Sequence, residues 1–223
     1  MAAPTTHKLD EITFKRGLRF LSKRDPVFAK IIRTIGPPPL WTRPRGFGTL
    51  VLLILEQQVS LASARATMDR LRASASPLTP RSFLELDDAL LKRIGFSRQK
   101  AAYCRGLALA ILDGSLNLAA LAKMEDTLVR AELIKLKGIG VWTADNYLLM
   151  ALRRPDAWPS GDLALAVAVM EINRWKVRPT QKELEAIGLR YKPWRAVAAR
   201  LLWHYYLSDH RKAARKQGPG STA

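Results

Sequence analysis

Apolar residues recur at three- and four-residue spacing almost throughout the chain, and nowhere do Val, Ile and Thr alternate with polar residues as a half-buried strand requires. The pattern predicts an all-α fold. Helices are expected at roughly 8–22, 26–35, 47–57, 60–73, 80–92, 98–112, 116–122, 127–136, 142–152, 162–174, 180–187 and 194–212. Pro37, Pro38, Pro39 and Pro44 mark a stiff connection after the second helix, and Pro155, Pro159 and Gly161 mark another at 153–161. These breaks predict a central helical lobe at 46–154. Residues 1–45 and 155–211, from the two chain ends, are expected to form a second lobe, with a cleft between the two. The last stretch, 212–223, is basic and then rich in Gly, Pro and Ser, and is expected to be an irregular tail.

One segment within this pattern raises a chemical question. Thr127 is placed to cap a helix through Leu128, Ala131, Leu133, Ile134 and Leu136, and Gly138 is placed to end it. Ile139 is then directed into the core, and Gly140 lets the chain enter a new helix near Val141 or Trp142. The first amides of that helix have no partners within it, and the helix dipole adds positive potential, which is what an anion needs. Lys135 and Lys137 add charge, and two absent β-carbons admit a phosphate to the backbone. An ordinary αα-hairpin with a glycine cap has the same Gly-x-Gly. A dinucleotide fingerprint does not fit, since no strand precedes and no third glycine follows.

Charge sharpens the choice of partner. Lys and Arg number 37 against 19 Asp and Glu, a formal net charge of +18 in 223 residues, so a polyanion such as nucleic acid is the expected partner. No strongly amphipathic basic helix or lipidation signal points to a membrane surface, and the longest aliphatic run, Leu50 to Leu55, is far short of the ~20 residues a span requires. The first residues, MAAPTTHKLDEITF, lack a secretory pattern, so a cytoplasmic location is expected, on the nucleoid if the source is prokaryotic. A single cysteine, Cys104, can build neither a disulfide nor an iron–sulfur cluster within the chain.

Leu-Lys-Gly-Ile-Gly-Val-Trp-Thr-Ala from Leu136, followed by Pro159-Ser160-Gly161-Asp162, resembles the hairpin and the aspartate-bearing loop of the helix-hairpin-helix DNA glycosylase superfamily. FGTLVLLILEQQVSLASAR from Phe47, GFSRQK from Gly95 and PWRAVAARLLW from Pro193 resemble further signatures of its 3-methyladenine DNA glycosylase II branch. The resemblance implies a monomeric base-excision enzyme acting on double-stranded DNA with damaged bases, in a compact form without an N-terminal β-rich domain. Asp162 is then the catalytic carboxylate. An aspartate directly before the apolar stretch Leu163–Met170 is equally a favoured N-cap, and both roles can hold at once. Loss of a base leaves an oxocarbenium-like sugar that a fixed carboxylate stabilises while orienting water. Alkylated purines already carry positive charge and so leave without strong acid assistance; one carboxylate then suffices, and three histidines are no obstacle. Asp145 and Asp156 compete less well, one explained by its helix and the other by an exposed loop.

The same resemblance suggests the other contacts. Trp142 matches a base-stacking tryptophan of the alkylpurine branch, where a cationic base gains cation–π energy over the indole. Asn146, which stands where a longer relative has an aromatic, and Tyr147 complete the expected base pocket; Trp194 and Trp203 are core candidates by helical spacing. Bifunctional relatives carry a lysine at the Trp142 position to form a Schiff base, so hydrolysis without strand cleavage is expected. Gly138, Ile139, Gly140 and Thr143 are the expected hairpin contacts, together with Lys135 and Lys137. Gln57 and Gln58 would enter the minor groove, with Gln58 as a plug for the emptied stack and Ser60 capping the next helix. Arg98, Lys100 and Arg195 are expected at phosphates. No cofactor and no catalytic metal are expected, while Na+ or K+ at the hairpin backbone is compatible with the resemblance. A non-catalytic DNA-binding protein that kept the hairpin, or a glycosylase with lyase activity, are the competing readings.

Overall fold

The computed structural model describes residues 8–216. Among them all regular structure is helical, in the order α1 (Glu11–Arg24), α2 (Pro26–Ile35), α3 (Phe47–Glu56), α4 (Leu61–Ser74), α5 (Pro80–Leu84), α6 (Asp88–Ile94), α7 (Arg98–Leu112), α8 (Leu118–Leu121), α9 (Asp126–Ile134), α10 (Val141–Asn146), α11 (Leu163–Ile172), α12 (Gln181–Leu189) and α13 (Arg195–Lys216). A π-helical turn, Tyr147–Ala151, continues α10. Short polar residues start many of these helices by accepting amide hydrogen bonds: Asp10 with Thr13, Ser60, Thr79 with Ser82, Asp87, Ser97 and Thr180 with Glu183.

Several expected boundaries move, each for a local reason. The segment 80–92 is two helices, because the Asp87 side chain accepts from the Leu90 amide (2.7 Å) and starts α6 afresh. Thr127 is inside the first turn of α9 rather than at its cap, which is Glu125. The helix through 142–152 ends in the π turn, closed by Leu152 N to Tyr147 O at 3.0 Å. Of the expected tail, 212–216 continues α13, and 217–223 lies outside the described residues.

The described residues group into two compact units, one spanning Thr42–Leu152 and the other joining residues 8–41 to residues 153–216. In the first, the aliphatic face of α3 (Leu50, Val51, Leu53, Ile54, Leu55) is buried with Met68, Leu71, Leu107, Val129, Leu133 and Leu148, and Phe83 stacks between Phe47 and Phe96. Burial of such side chains contributes roughly 1.5–3 kcal/mol each. In the second, α11 packs on α13, and α1 and α2 pack on each other and on α13. Its core includes Phe14, Leu21, Phe28, Trp158, Leu165, Leu184 and Leu201.

Candidate active site and nucleic-acid interface

The hairpin forms because two helices are stopped and restarted within a few residues. After α9, turn bonds run from Leu136 N to Leu133 O (3.2 Å) and from Ile139 N to Leu136 O (3.0 Å). Gly138 has φ +93°, and a β-carbon there would run into the Tyr103 ring. Gly140 is extended (φ −94°, ψ −179°), exposed, and a β-carbon on it would meet no protein atom within 4 Å. Only the first glycine is required by the backbone itself. The helical ladder opens with Ala144 N to Gly140 O (3.0 Å), so the Gly140, Val141 and Thr143 amides lie ahead of it.

Long-range hydrogen bonds hold this loop. Gln57 Nε2 donates to Gly138 O (2.9 Å) and to Thr143 Oγ1 (3.0 Å), tying the loop to the second helix. Lys100 Nζ donates to Leu55 O (2.7 Å) and Gln57 O (2.8 Å), satisfying carbonyls at the end of α3; burial lowers its pKa from the usual lysine range. Arg130 of α9 grips Asp145 of α10, Nη2 to Oδ1 at 2.6 Å, and the Asp145 carboxylate is 1% exposed. The helix position invoked for Asp145 is thus a buried ion pair between the two arms of the hairpin.

These contacts correct part of the expected interface. Gln57 Nε2, Thr143 Oγ1 and Lys100 Nζ brace the hairpin, each hydrogen-bonded to a protein partner. Ile139 is buried and its amide is used in the turn, so neither its side chain nor its N–H is presented outward. Tyr147 is fully buried, its hydroxyl accepting from Gly46 N (3.2 Å), and Asn146 is buried with Nδ2 on Trp142 O (2.9 Å). Trp142 is half-buried. Gln58 is exposed with φ +58°, and Arg98, Lys135 and Lys137 are exposed, Lys135 pairing with Glu132 at 2.7 Å.

Asp162 belongs to the other unit. Trp158, 1% exposed, plugs the core and donates from Nε1 to Leu184 O (3.0 Å), anchoring the turn that follows. The turn closes with Asp162 N to Pro159 O at 2.9 Å, and α11 begins. Asp162 Oδ1 accepts from Leu165 N (3.0 Å), the N-cap bond, and from Trp203 Nε1 of α13 (3.0 Å). Asp162 is 9% exposed and lines a pocket of about 410 Å³ with Ser160, Gly161, Leu163, Arg178 and Gln181. The pocket lies beside a carboxylate held by the Leu165 and Trp203 donors, at the head of an apolar helix. The Arg195 guanidinium, expected at a phosphate, pairs with Asp156 (3.0 Å) and Glu185 (3.4 Å). Asp156, expected in an exposed loop, is therefore an anchor for α13.

Trp203, read from its spacing as core, was missed as a partner of Asp162. Its signal was the indole N–H, which a buried tryptophan has to place on an acceptor. Arg130 and Tyr103 gave no comparable signal. No group of three or more His, Cys, Asp and Glu is arranged for a metal among the described residues. Leu136 O and Gly138 O each accept a hydrogen bond and keep a second lone pair, donors of the kind that suit a weakly held Na+ or K+.

Residues 51–193 match the HhH-GPD superfamily base excision DNA repair protein family. The chain belongs to this superfamily. It is 26% identical to an alkylbase DNA glycosidase-like protein of Schizosaccharomyces pombe, over 85% of this chain and 92% of that one. It is 32% identical to a putative DNA-3-methyladenine glycosylase of Bacillus subtilis, over 56% of this chain but only 43% of that protein. Among HhH-GPD structures, the S. pombe 3-methyladenine DNA glycosylase in complex with abasic DNA shares the fold with TM-score 0.79 at 22% identity, covering 84% of this chain and 95% of that one. A DNA-3-methyladenine glycosidase of Bacillus halodurans gives 0.73 at 27% identity, covering 88% and 91%. No helix among the described residues is long and apolar enough to cross a membrane.

Proposed function

We propose that this HhH-GPD protein is a monofunctional DNA glycosylase that hydrolyses the N-glycosidic bond of alkylated purines in duplex DNA. The observation that carries the reading is Asp162, whose Oδ1 is fixed by Leu165 N and Trp203 Nε1 beside a pocket at the head of an apolar helix. As the C1′–N bond breaks, the cationic purine leaves neutral and positive charge collects on the sugar. The carboxylate stabilises that charge, water adds to C1′ and its proton is lost toward the carboxylate. Donors already in place on Oδ1 mean that the charge needs little reorganisation at the moment of reaction.

The hairpin supplies binding rather than chemistry. Its exposed Gly140, with the Val141 and Thr143 amides and the nearby Lys137, suits a backbone phosphate. Relatives named as 3-methyladenine glycosylases support the alkylpurine class. Trp142, the aromatic at the position where bifunctional relatives carry lysine, supports hydrolysis without a Schiff base and is the residue to test for stacking on the base.

Methylated duplex DNA is expected to yield free purine and an unbroken abasic strand, with no borohydride-trapped adduct. Asp162→Asn keeps the cap, so stability should change by less than about 1 kcal/mol. Single-turnover excision should fall by about a hundredfold or more, roughly 2.7 kcal/mol, with DNA affinity retained. An Asn variant near the parent rate would leave Asp162 as a cap only.

A further inference from the structure

The walls of the Asp162 pocket come from two segments of the chain: the turn before α11, and the connection from α11 to α12, which contributes Val177, Arg178 and Pro179. That connection is fixed at both ends. Asn173 Nδ2 donates to Val169 O (2.8 Å) and Trp175 N to Met170 O (2.9 Å), closing α11, while the Thr180–Glu183 capping box opens α12. Arg174 turns the chain with φ +55°. Arg178 is thus presented on a short, anchored arc. It is exposed and, among the described residues, engages no carboxylate, in contrast to Arg195, which is committed to Asp156 and Glu185.

A pocket that carries a fixed carboxylate repels the polyanion it has to receive. A guanidinium in the same pocket offsets that repulsion and binds phosphate oxygens through paired N–H donors. We propose that Arg178 is a phosphodiester-binding residue of the Asp162 pocket, holding a backbone phosphate of DNA beside the nucleotide whose sugar faces the carboxylate. The assignment rests on the glycosylase reading. It differs from the hairpin site in lying on the other structural unit and in using a side chain rather than backbone amides.

The test uses the full chain and a duplex containing a tetrahydrofuran abasic analogue, which binds without reacting. Arg178→Ala, Arg178→Lys and, as a control for general charge loss, Arg93→Ala on exposed α6 are titrated over a range of salt. Arg178→Ala should bind at least about fivefold more weakly, with the slope of log affinity against log salt shallower by about 0.9. Arg178→Lys should fall between it and the parent, and Arg93→Ala should stay within about twofold of the parent. Equal affinity and slope for Arg178→Ala and Arg93→Ala overturns the proposal. Excision from methylated duplex separates the two readings: a parent protein whose binding depends on Arg178 but which releases no base refutes the glycosylase reading alone. A parent that excises while Arg178→Ala matches Arg93→Ala refutes the phosphate subsite alone.

Discussion

Two residues of the hairpin differ by one β-carbon of space and make opposite predictions. At Gly138, φ +93° and the Tyr103 ring exclude any side chain, so Gly138→Ala should lower stability by more than about 1 kcal/mol and loosen the loop for reasons of fold. At Gly140 the backbone is extended and the space around it open, so Gly140→Ala should melt like the parent. Its affinity for damaged and undamaged duplexes should nevertheless fall about tenfold, because the new methyl occupies the approach of a phosphate. A Gly140→Ala protein with parental affinity would falsify backbone contact at that position. Trp203 offers a similar separation. Trp203→Phe keeps an aromatic in the core but removes a donor to Asp162 Oδ1, and excision at saturating DNA should drop about tenfold with little change in affinity. A drop in affinity alone would instead assign Trp203 to binding.

The hairpin element is held by three side chains that sequence spacing does not pair. Gln57 fastens the loop from α3, Lys100 fastens the end of α3 from α7, and Arg130 fastens α9 to α10 through Asp145. The last is the most consequential for stability, since Arg130→Ala removes the cation that pairs at 2.6 Å with a carboxylate only 1% exposed. Breaking one side of a buried pair typically costs about 3–5 kcal/mol. Arg130 is itself a third exposed, so the lower end is expected, read as a shift in the denaturant midpoint. Asp145→Asn with Arg130→Ala should recover most of the loss. Failure of the double variant to recover would place the cost in packing rather than in the stranded charge.

At the scale of the whole molecule, the net charge of +18 on 223 residues makes binding to DNA strongly dependent on salt. Log affinity should fall linearly with log salt, by about 0.9 per phosphate neutralised, for damaged and undamaged duplexes alike. On the proposed function, a damaged site should add a constant margin over that line, because contacts to an extruded base release no counterions. A flat salt response would be incompatible with this account. Reversing exposed charges such as Lys137 should reduce the slope, whereas Lys100→Ala should act mainly through stability, since Lys100 is already bound to two carbonyls.

Helices were legible in the sequence because their signals are local. Apolar spacing and short polar caps lie within one or two turns, so α2 and α7 fall at 26–35 and 98–112 as the pattern predicts, and Asp162 stands where an N-cap and a Gly- and Pro-rich turn meet. Net charge and the hairpin glycines pointed to a polyanion for the same reason, being properties of composition and of a few adjacent residues. What the sequence could not decide is which polar side chains remain available. Gln57, Lys100 and Arg195 look like surface contacts until partners 81, 45 and 39 residues away claim them. Tyr147 and Asn146, adjacent in sequence, meet Gly46 N and Trp142 O, which residue type alone does not reveal. Such assignments depend on which donor meets which acceptor once the chain has packed, and a buried polar group takes the partner that tertiary structure brings to it. The sequence determined the helices and the candidate carboxylate; the tertiary structure decided which polar side chains around them are committed to holding the fold.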